Sequence, residues 1–264
     1  MTNIQYINST SNLQIKEWVK IQNKKSHRDK SGLFFIEGFN IVLLAIQKNN
    51  LESLITTQEI FDGLNSKYDL TNIKKIFIIN RIVAEKISLT KTSQMIYGFS
   101  HIQESNYNKD YSSIILDGVQ EPGNMGTIIR TAIAFGFKNI FLANNCVDPY
   151  NDKVIRSTQG AIFDVNIIFD NDLEHCRKIK EENPSKLFIS TYLNTEFESL
   201  EDLNLNNIKK ENVFLGFGNE GNGMDLKFKD LFHKNINIVI ENIESLNVSQ
   251  AATIVMYKVK EKYV

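Results

Sequence analysis

The segment DGVQEPGNMGTIIRTAIAFG, residues 117–136, constrains this chain more than any other, because it places Pro, Asn, Gly and Arg where a strand must give way to a helix. Just before it, Ile114, Ile115 and Leu116 form a short apolar run of the kind that makes a buried strand. Pro122, Gly123, Asn124 and Gly126 supply a turn, and Ile128, Ile129, Ala132 and Phe135 then recur at helical spacing, which predicts a helix starting close to Asn124. Unsatisfied N–H groups at such a start attract anions, and glycine lets a ligand approach the main chain. Arg130 falls about one and a half turns in, off the apolar face. Its permanently charged fork of donors suits phosphate or carboxylate. Taken alone, the segment fits equally well a glycine-rich turn capping a surface helix with a solvated arginine.

Two later segments have the same character. VFLGFGNEGNGM, residues 213–224, is an apolar strand running into a loop with Asn219, Glu220 and Asn222, where dense glycine means main chain open to a ligand or crowded by another segment. INIVIENIESLNVSQAATIVM, residues 236–256, reads as a period-two strand (Ile236, Ile238, Ile240), a polar turn over 244–247, and a helix with Ser249 as its N-cap. Strands are expected at 113–116, 139–142, 187–191, 213–217 and 236–240, alternating with helices that include one over 171–183, ended by Pro184. That order predicts an α/β fold: a mainly parallel sheet with helices on both faces.

Upstream, a helix over 12–23, strands at 33–37, 51–56 and 76–79, and helices over 40–49 and 81–89 predict a small α/β domain of its own. Polar residues thicken over 103–110, which places the domain boundary there, with domains 1–105 and 106–264. Trp18 lies among Ile15, Val19 and Ile21 and is expected in the core; Tyr97 and His101 show no partner in the sequence. The net charge of −1 announces no nucleic acid, but Lys16, Lys20, Lys24, Lys25, His27, Arg28 and Lys30 face only Glu17 and Asp29. This local basic run is either an RNA footprint or a solvated helix face. No stretch reaches the length of a membrane span, and the N-terminal residues lack a signal-peptide pattern. Cys146 and Cys176 have no metal-ligand spacing and are too few for a disulfide framework, so a cytoplasmic protein without a metal is expected.

In that order and spacing, PGNMGTIIRTA, GNEGNGM and ESLNVSQAA resemble the three motifs of the SpoU (TrmH) family of RNA ribose 2′-O-methyltransferases, within the SPOUT superfamily. SHRDKSGLFFIEGFNIVLLAIQ, upstream, is similar to the substrate-binding domain that often precedes them, a small α/β fold related to an RNA-binding ribosomal protein. The resemblance implies a deep trefoil knot in the C-terminal domain, a homodimer with its site near the interface, and S-adenosylmethionine as cofactor. By position, Arg130 matches the catalytic arginine and Asn124 the asparagine that helps place it. Glu220 matches the acidic residue of the second motif, and Ser245 and Asn247 the polar residues of the third. Gly218, Ile238 and Leu246 match positions whose main chain holds the cofactor.

The chain departs from the family pattern after its last strand. Val239-Ile240 stands where a Pro-Met pair is usual, the following loop is one residue shorter, and Asn242 occupies a position where Gly is common. VIRSTQGAIF resembles the family's K-x-x-R-x-S-x-G segment, which puts Arg156 and Ser157 on the RNA side of the site unless they belong to a charged surface helix. Glu37, in the Glu37-Gly38 turn, is read as a helix cap or a contact. The expected activity is methylation of a ribose 2′-hydroxyl in RNA, most readily 23S ribosomal RNA. A transfer RNA substrate is the alternative, as is an RNA-docking factor that kept the fold and lost turnover.

Overall fold

Ile114 to Leu116 and Val213 to Phe217 show no alternation of apolar and polar residues, and both segments become strands buried along their whole length, as a parallel sheet covered on both faces demands. They belong to a computed structural model that describes residues 3–191, 197–219, 223–243 and 245–263. The chain forms two compact units, one of residues up to Glu104 with Asp148–Phe163, the other of Ser105–Val147 with the residues from Asp164 on.

The first unit contains β1 (Asn3–Ile7), α1 (Leu13–Asn23), α2 (Lys25–Ser31), β2 (Leu33–Glu37), α3 (Phe39–Gln47), β3 (Leu51–Thr56), α4 (Gln58–Asn65), β4 (Lys75–Ile79), α5 (Arg81–Ile87) and β5 (Ile96–His101). Its sheet runs β1-β4-β3-β5-β2, with β1, β3 and β4 parallel and β5 antiparallel to both its neighbours. Trp18 is core, its ring edge-on to Phe77 at 5.0 Å between centroids. Tyr97 is also buried and donates its hydroxyl hydrogen to the Ala84 carbonyl, while His101 Nε2 lies 3.0 Å from a Glu52 carboxylate oxygen.

Residues 148–163 complete this unit, with α7 (Asp152–Thr158) as their helix. Phe34 of β2 meets Tyr150 and Phe163 at 5.2 and 6.0 Å between ring centroids. Arg28 fastens the segment: its Nε and Nη2 donate to Asp148 Oδ2 at 2.9 and 2.5 Å, and its Nη1 donates to the carbonyls of Ile21 and Gln22. Only 4 % of Arg28 is exposed, so it leaves the expected basic footprint and becomes a buried ion-pair partner. Lys20 and Lys25 are likewise engaged, by Glu17 and Asp29.

The second unit contains β6 (Ser112–Leu116), α6 (Pro122–Phe135), β7 (Phe137–Leu142), β8 (Asn166–Phe169), α8 (Glu174–Glu182), β9 (Leu187–Thr191), β10 (Glu198–Ser199), β11 (Val213–Phe217), β12 (Lys234–Asn237) and α9 (Val248–Glu261). Among the described residues its sheet has seven strands in the order β10-β12-β9-β11-β6-β7-β8, every pair parallel. Phe141, Ile168, Phe188 and Phe214 form one core cluster with Cys176 and Ile179 of α8, while α6 packs against α9 and both contact the sheet.

Several boundaries differ from the sequence expectation, three of them for a visible reason. The strand expected at 236–240 stops at Asn237, because Ile236 is already level with Thr191, the last residue of β9. The helix expected over 171–183 starts at Glu174, since Leu173 is left-handed at φ 56° and Asp170 takes the N–H groups of His175 and Cys176. The helix expected near Asn124 starts at Pro122, where a missing N–H costs nothing.

Candidate functional site

Parallel α/β sheets bind ligands beyond the carboxyl ends of their strands, and the second unit has a pocket there. Thr191 and Phe217, the last residues of β9 and β11, form part of its wall; Ile238 and Ile240, released from the sheet after β12, form another. Gly218, Asn219, Ser245 and Leu246 also line it. The side chains of the described lining residues are apolar or neutral, which suits a flat aromatic group held by main-chain hydrogen bonds.

Gly218 of the second motif answers to crowding. Asn219 and Gly223 exchange main-chain hydrogen bonds at 3.1 and 2.8 Å, folding the loop into a hairpin. A Cβ on Gly218 would lie 1.9 Å from the carbonyl carbon of Gly223, so no other residue fits while the hairpin stands. Asn219 fixes the hairpin to the first motif by donating its side-chain N–H to the Gly118 carbonyl. Asn242 sits at φ 63°, the left-handed region that glycine tolerates best and asparagine next. This accounts for asparagine as a substitute at a position where glycine is common.

The first and third motifs meet at their helix starts. Asn247, not Ser249, caps α9: its Oδ1 accepts from the Ser249 N–H at 2.9 Å and from the Ser249 hydroxyl at 2.6 Å. Its amide nitrogen donates to Asn124 Oδ1 at 3.0 Å, joining α9 to the first turn of α6. Arg130 projects from α6 exposed to solvent, its side chain making no hydrogen bond or ion pair with another described residue. Of the residues singled out in the sequence, Gly218, Ile238, Ser245 and Leu246 share the pocket, Asn124 and Asn247 bond each other, and Arg130 stands on the same helix as Asn124. Glu220 lies outside the described residues. Arg156 and Ser157 fall in the first unit, on α7.

Sequence reasoning missed Thr191, Phe217, Val248 and Ala251 as pocket residues. The signal for the first two was their place at the ends of parallel strands. It also missed Asp117, which directly follows β6 and whose Oδ2 accepts the Asp225 N–H at 2.8 Å, tying the chain after the hairpin to the turn before α6. Burial holds its carboxyl above the usual carboxylate range. A raised value in the folded state stabilises the protein fully below the unfolded value and loses that stabilisation as pH rises through the folded one. Asp117→Asn keeps an acceptor and removes the buried charge, so thermal melts from pH 4 to 7 should show a stability gain over the parent that grows with pH. Asp117→Ala leaves the Asp225 N–H unpaired and should cost about 1–3 kcal/mol. Beside it, burial pushes the Cys146 thiol up to about 11, so it carries no thiolate for nucleophilic chemistry.

Among the described residues no group of three or more His, Cys, Asp or Glu is placed to hold a metal, and no helix is long and apolar enough to cross a membrane. A parallel sheet with a neutral pocket beyond its strand ends, built from three loops that meet at two helix starts, defines a class of α/β enzymes that bind a nucleotide-like group. Residues 111–257 match the SpoU rRNA Methylase family and residues 12–98 the MRM3-like substrate binding domain, and the chain belongs to the SpoU rRNA methylase family. Over 255 residues it is 28 % identical to the 23S rRNA (guanosine(2553)-2′-O)-methyltransferase RlmP of Bacillus subtilis, covering 96 % of this chain and 98 % of that one. The fold is shared with the AdoMet-bound rRNA methyltransferase of Sinorhizobium meliloti, with a TM-score of 0.85, 23 % identity and 99 % of each chain covered. It is shared too with the SpoU methyltransferase AviRb of Streptomyces viridochromogenes in complex with AdoMet, with a TM-score of 0.78, 18 % identity, and 96 % and 99 % of the two chains covered.

Proposed function

We propose that this enzyme methylates a ribose 2′-hydroxyl of 23S ribosomal RNA, using S-adenosylmethionine bound in the pocket at the ends of β9 and β11. The observation that carries this reading is the convergence of Gly218, Ile238, Ser245 and Leu246 on one neutral, apolar-walled pocket. The main chain at 218, 238 and 246 would hold the cofactor, Phe217, Ile238 and Ile240 would enclose its base, and the cofactor would supply an electrophilic methyl group. A ribose hydroxyl is a poor nucleophile, so its oxygen must be held in line and its proton drawn off. A guanidinium is a poor base, so Arg130 orients the RNA phosphate and hydroxyl and stabilises charge developing on the oxygen. Asn124 places it, supported by Asn247. Glu220, the acidic residue of the second motif, is the remaining catalytic candidate.

The enzyme works as a homodimer in the cytoplasm, its C-terminal end threaded in a trefoil knot. In support of the knot, β11 enters the sheet between β6 and β9, both of which precede it in the chain. In support of the dimer, Ile254 and Tyr257 of α9 are 41 % and 51 % exposed on the helix that packs against α6, the bearer of Arg130. Isothermal titration should show S-adenosylmethionine binding to the full chain. Site-resolved ribose-methylation mapping of RNA from cells with and without the gene should show one 23S mark lost. A lost transfer RNA mark would move the substrate, and cofactor binding without any lost mark would leave an RNA-docking role.

A further inference from the structure

The first unit has a cavity of its own, which the methyl-transfer chemistry leaves unused. It is a hollow open to solvent, between the start of α3, the turn that follows α5, and α7. Gly38 at φ 107° turns the chain into α3, and because glycine has no capping side chain, Gln94 reaches across to accept the Phe39 N–H at 2.7 Å. The other side of the Gln94 amide is a pair of N–H donors with no partner among the described residues, and the Asn40 and Ile41 N–H groups of the first helical turn are likewise unpaired there. Arg156 adds its guanidinium, steadied by the Leu89 carbonyl at 3.3 Å and by Asp152 at 3.2 Å, with further N–H groups to spare.

The cavity is therefore rich in donors. Its one other acid, Glu37, has its oxygens occupied by the Ser88 hydroxyl, the Leu89 N–H and the Thr90 hydroxyl. Glu37 is thus neither the cap of α3 nor a free contact; it holds the cavity's far wall in place. Phe39, Leu89 and Ile155 give that wall an apolar stretch beside the donors. Donors at a helix start with an adjacent guanidinium take a phosphate; an apolar wall next to them takes a ring.

We propose that this cavity seats one unstacked nucleotide of a single-stranded RNA segment, its phosphate on the start of α3, Gln94 and Arg156, and its base against Leu89 and Ile155. The inference rests on the RNA-substrate reading above and names where that RNA is gripped, at a site separate from the cofactor pocket. A concave site of this kind admits a base only when it is splayed out of a helix, which excludes duplex RNA.

The test uses the full chain, a labelled single-stranded RNA of about twelve nucleotides and its duplex, with binding followed by fluorescence anisotropy. Asn40→Asp puts a carboxylate where a helix start welcomes one, so the melting temperature should hold or rise, while binding of the single strand weakens about tenfold by repulsion of the phosphate. Gln94→Glu keeps the acceptor for Phe39 and should act likewise. Arg156→Gln should lower the slope of log K against log salt by about one. Parental affinity in Asn40→Asp and Gln94→Glu, or an equal loss on the duplex, overturns the proposal. So does tight binding of AMP or inorganic phosphate that the variants weaken while RNA binding stands, which would make the cavity a site for a free anion. Titration with S-adenosylmethionine separates the two readings: its absence in the parent sinks the methyltransferase assignment and leaves the RNA result to decide the cavity.

Discussion

Arg130→Ala will slow methyl transfer by orders of magnitude and leave the protein otherwise intact. Arg130 is exposed and its side chain bonds no other described residue, so truncating it breaks no contact in the folded state. Surface changes of this kind shift stability by no more than about 0.5 kcal/mol. Cofactor affinity, measured calorimetrically, should match the parent, because Arg130 does not line the pocket. The loss belongs to the chemical step: withdrawing one donor from developing oxyanion charge lowers turnover by about 10²–10³-fold. Arg130→Lys keeps the charge without the planar fork, and single-turnover methylation should recover only part of the rate. Full turnover in the lysine enzyme would refute a geometric role for the guanidinium.

The largest loss of stability is expected from Arg28→Ala. Its guanidinium satisfies Asp148 and two main-chain carbonyls in a setting where the arginine is 4 % exposed. Removing one partner leaves a buried carboxylate uncompensated, at a cost of about 3–5 kcal/mol. For a domain of this size that lowers the melting temperature on the order of 10 °C. A double variant, Arg28→Met with Asp148→Leu, removes both charges and should recover most of the loss, since an apolar pair of similar volume stands in well for a buried ion pair. A double variant as unstable as Arg28→Ala would show that packing of the arginine stem, not the stranded charge, dominates.

Local pattern made much of this molecule legible. Unbroken apolar runs announced the central strands β6 and β11, and the glycine and asparagine clusters announced the loops that meet at the pocket. What escaped was set by partners remote in the chain. Arg28 counts as one more surface cation until Asp148, 120 residues later, is seen beside it. β5 carries Gly98 at its centre and so reads as broken, yet a Cβ there would lie 2.5 Å from Leu51 Cδ1, so the glycine is what lets the neighbouring strand pack. β1 is an exposed edge with no clear alternation, and only its pairing with β4 makes it a strand. Thr191 became a pocket residue because a parallel neighbour ends beside it, and the order of the strands in the sheet, which decides that neighbour, is not written in either strand's own sequence.

The excursion of residues 148–163 makes the polypeptide pass between its two units three times, after Glu104, after Val147 and after Phe163. A single protease nick at any of these joins therefore releases neither half. A gene fragment starting at the first residue of the methylase match would still encode Tyr150, Ile155 and Phe163, all buried in the whole chain against a sheet the fragment lacks. Such a fragment would display sticky aromatic surface and precipitate, and the N-terminal half expressed alone would show the matching bare patch around Phe34. Swapping the first unit between relatives therefore requires moving this short helical insert along with it.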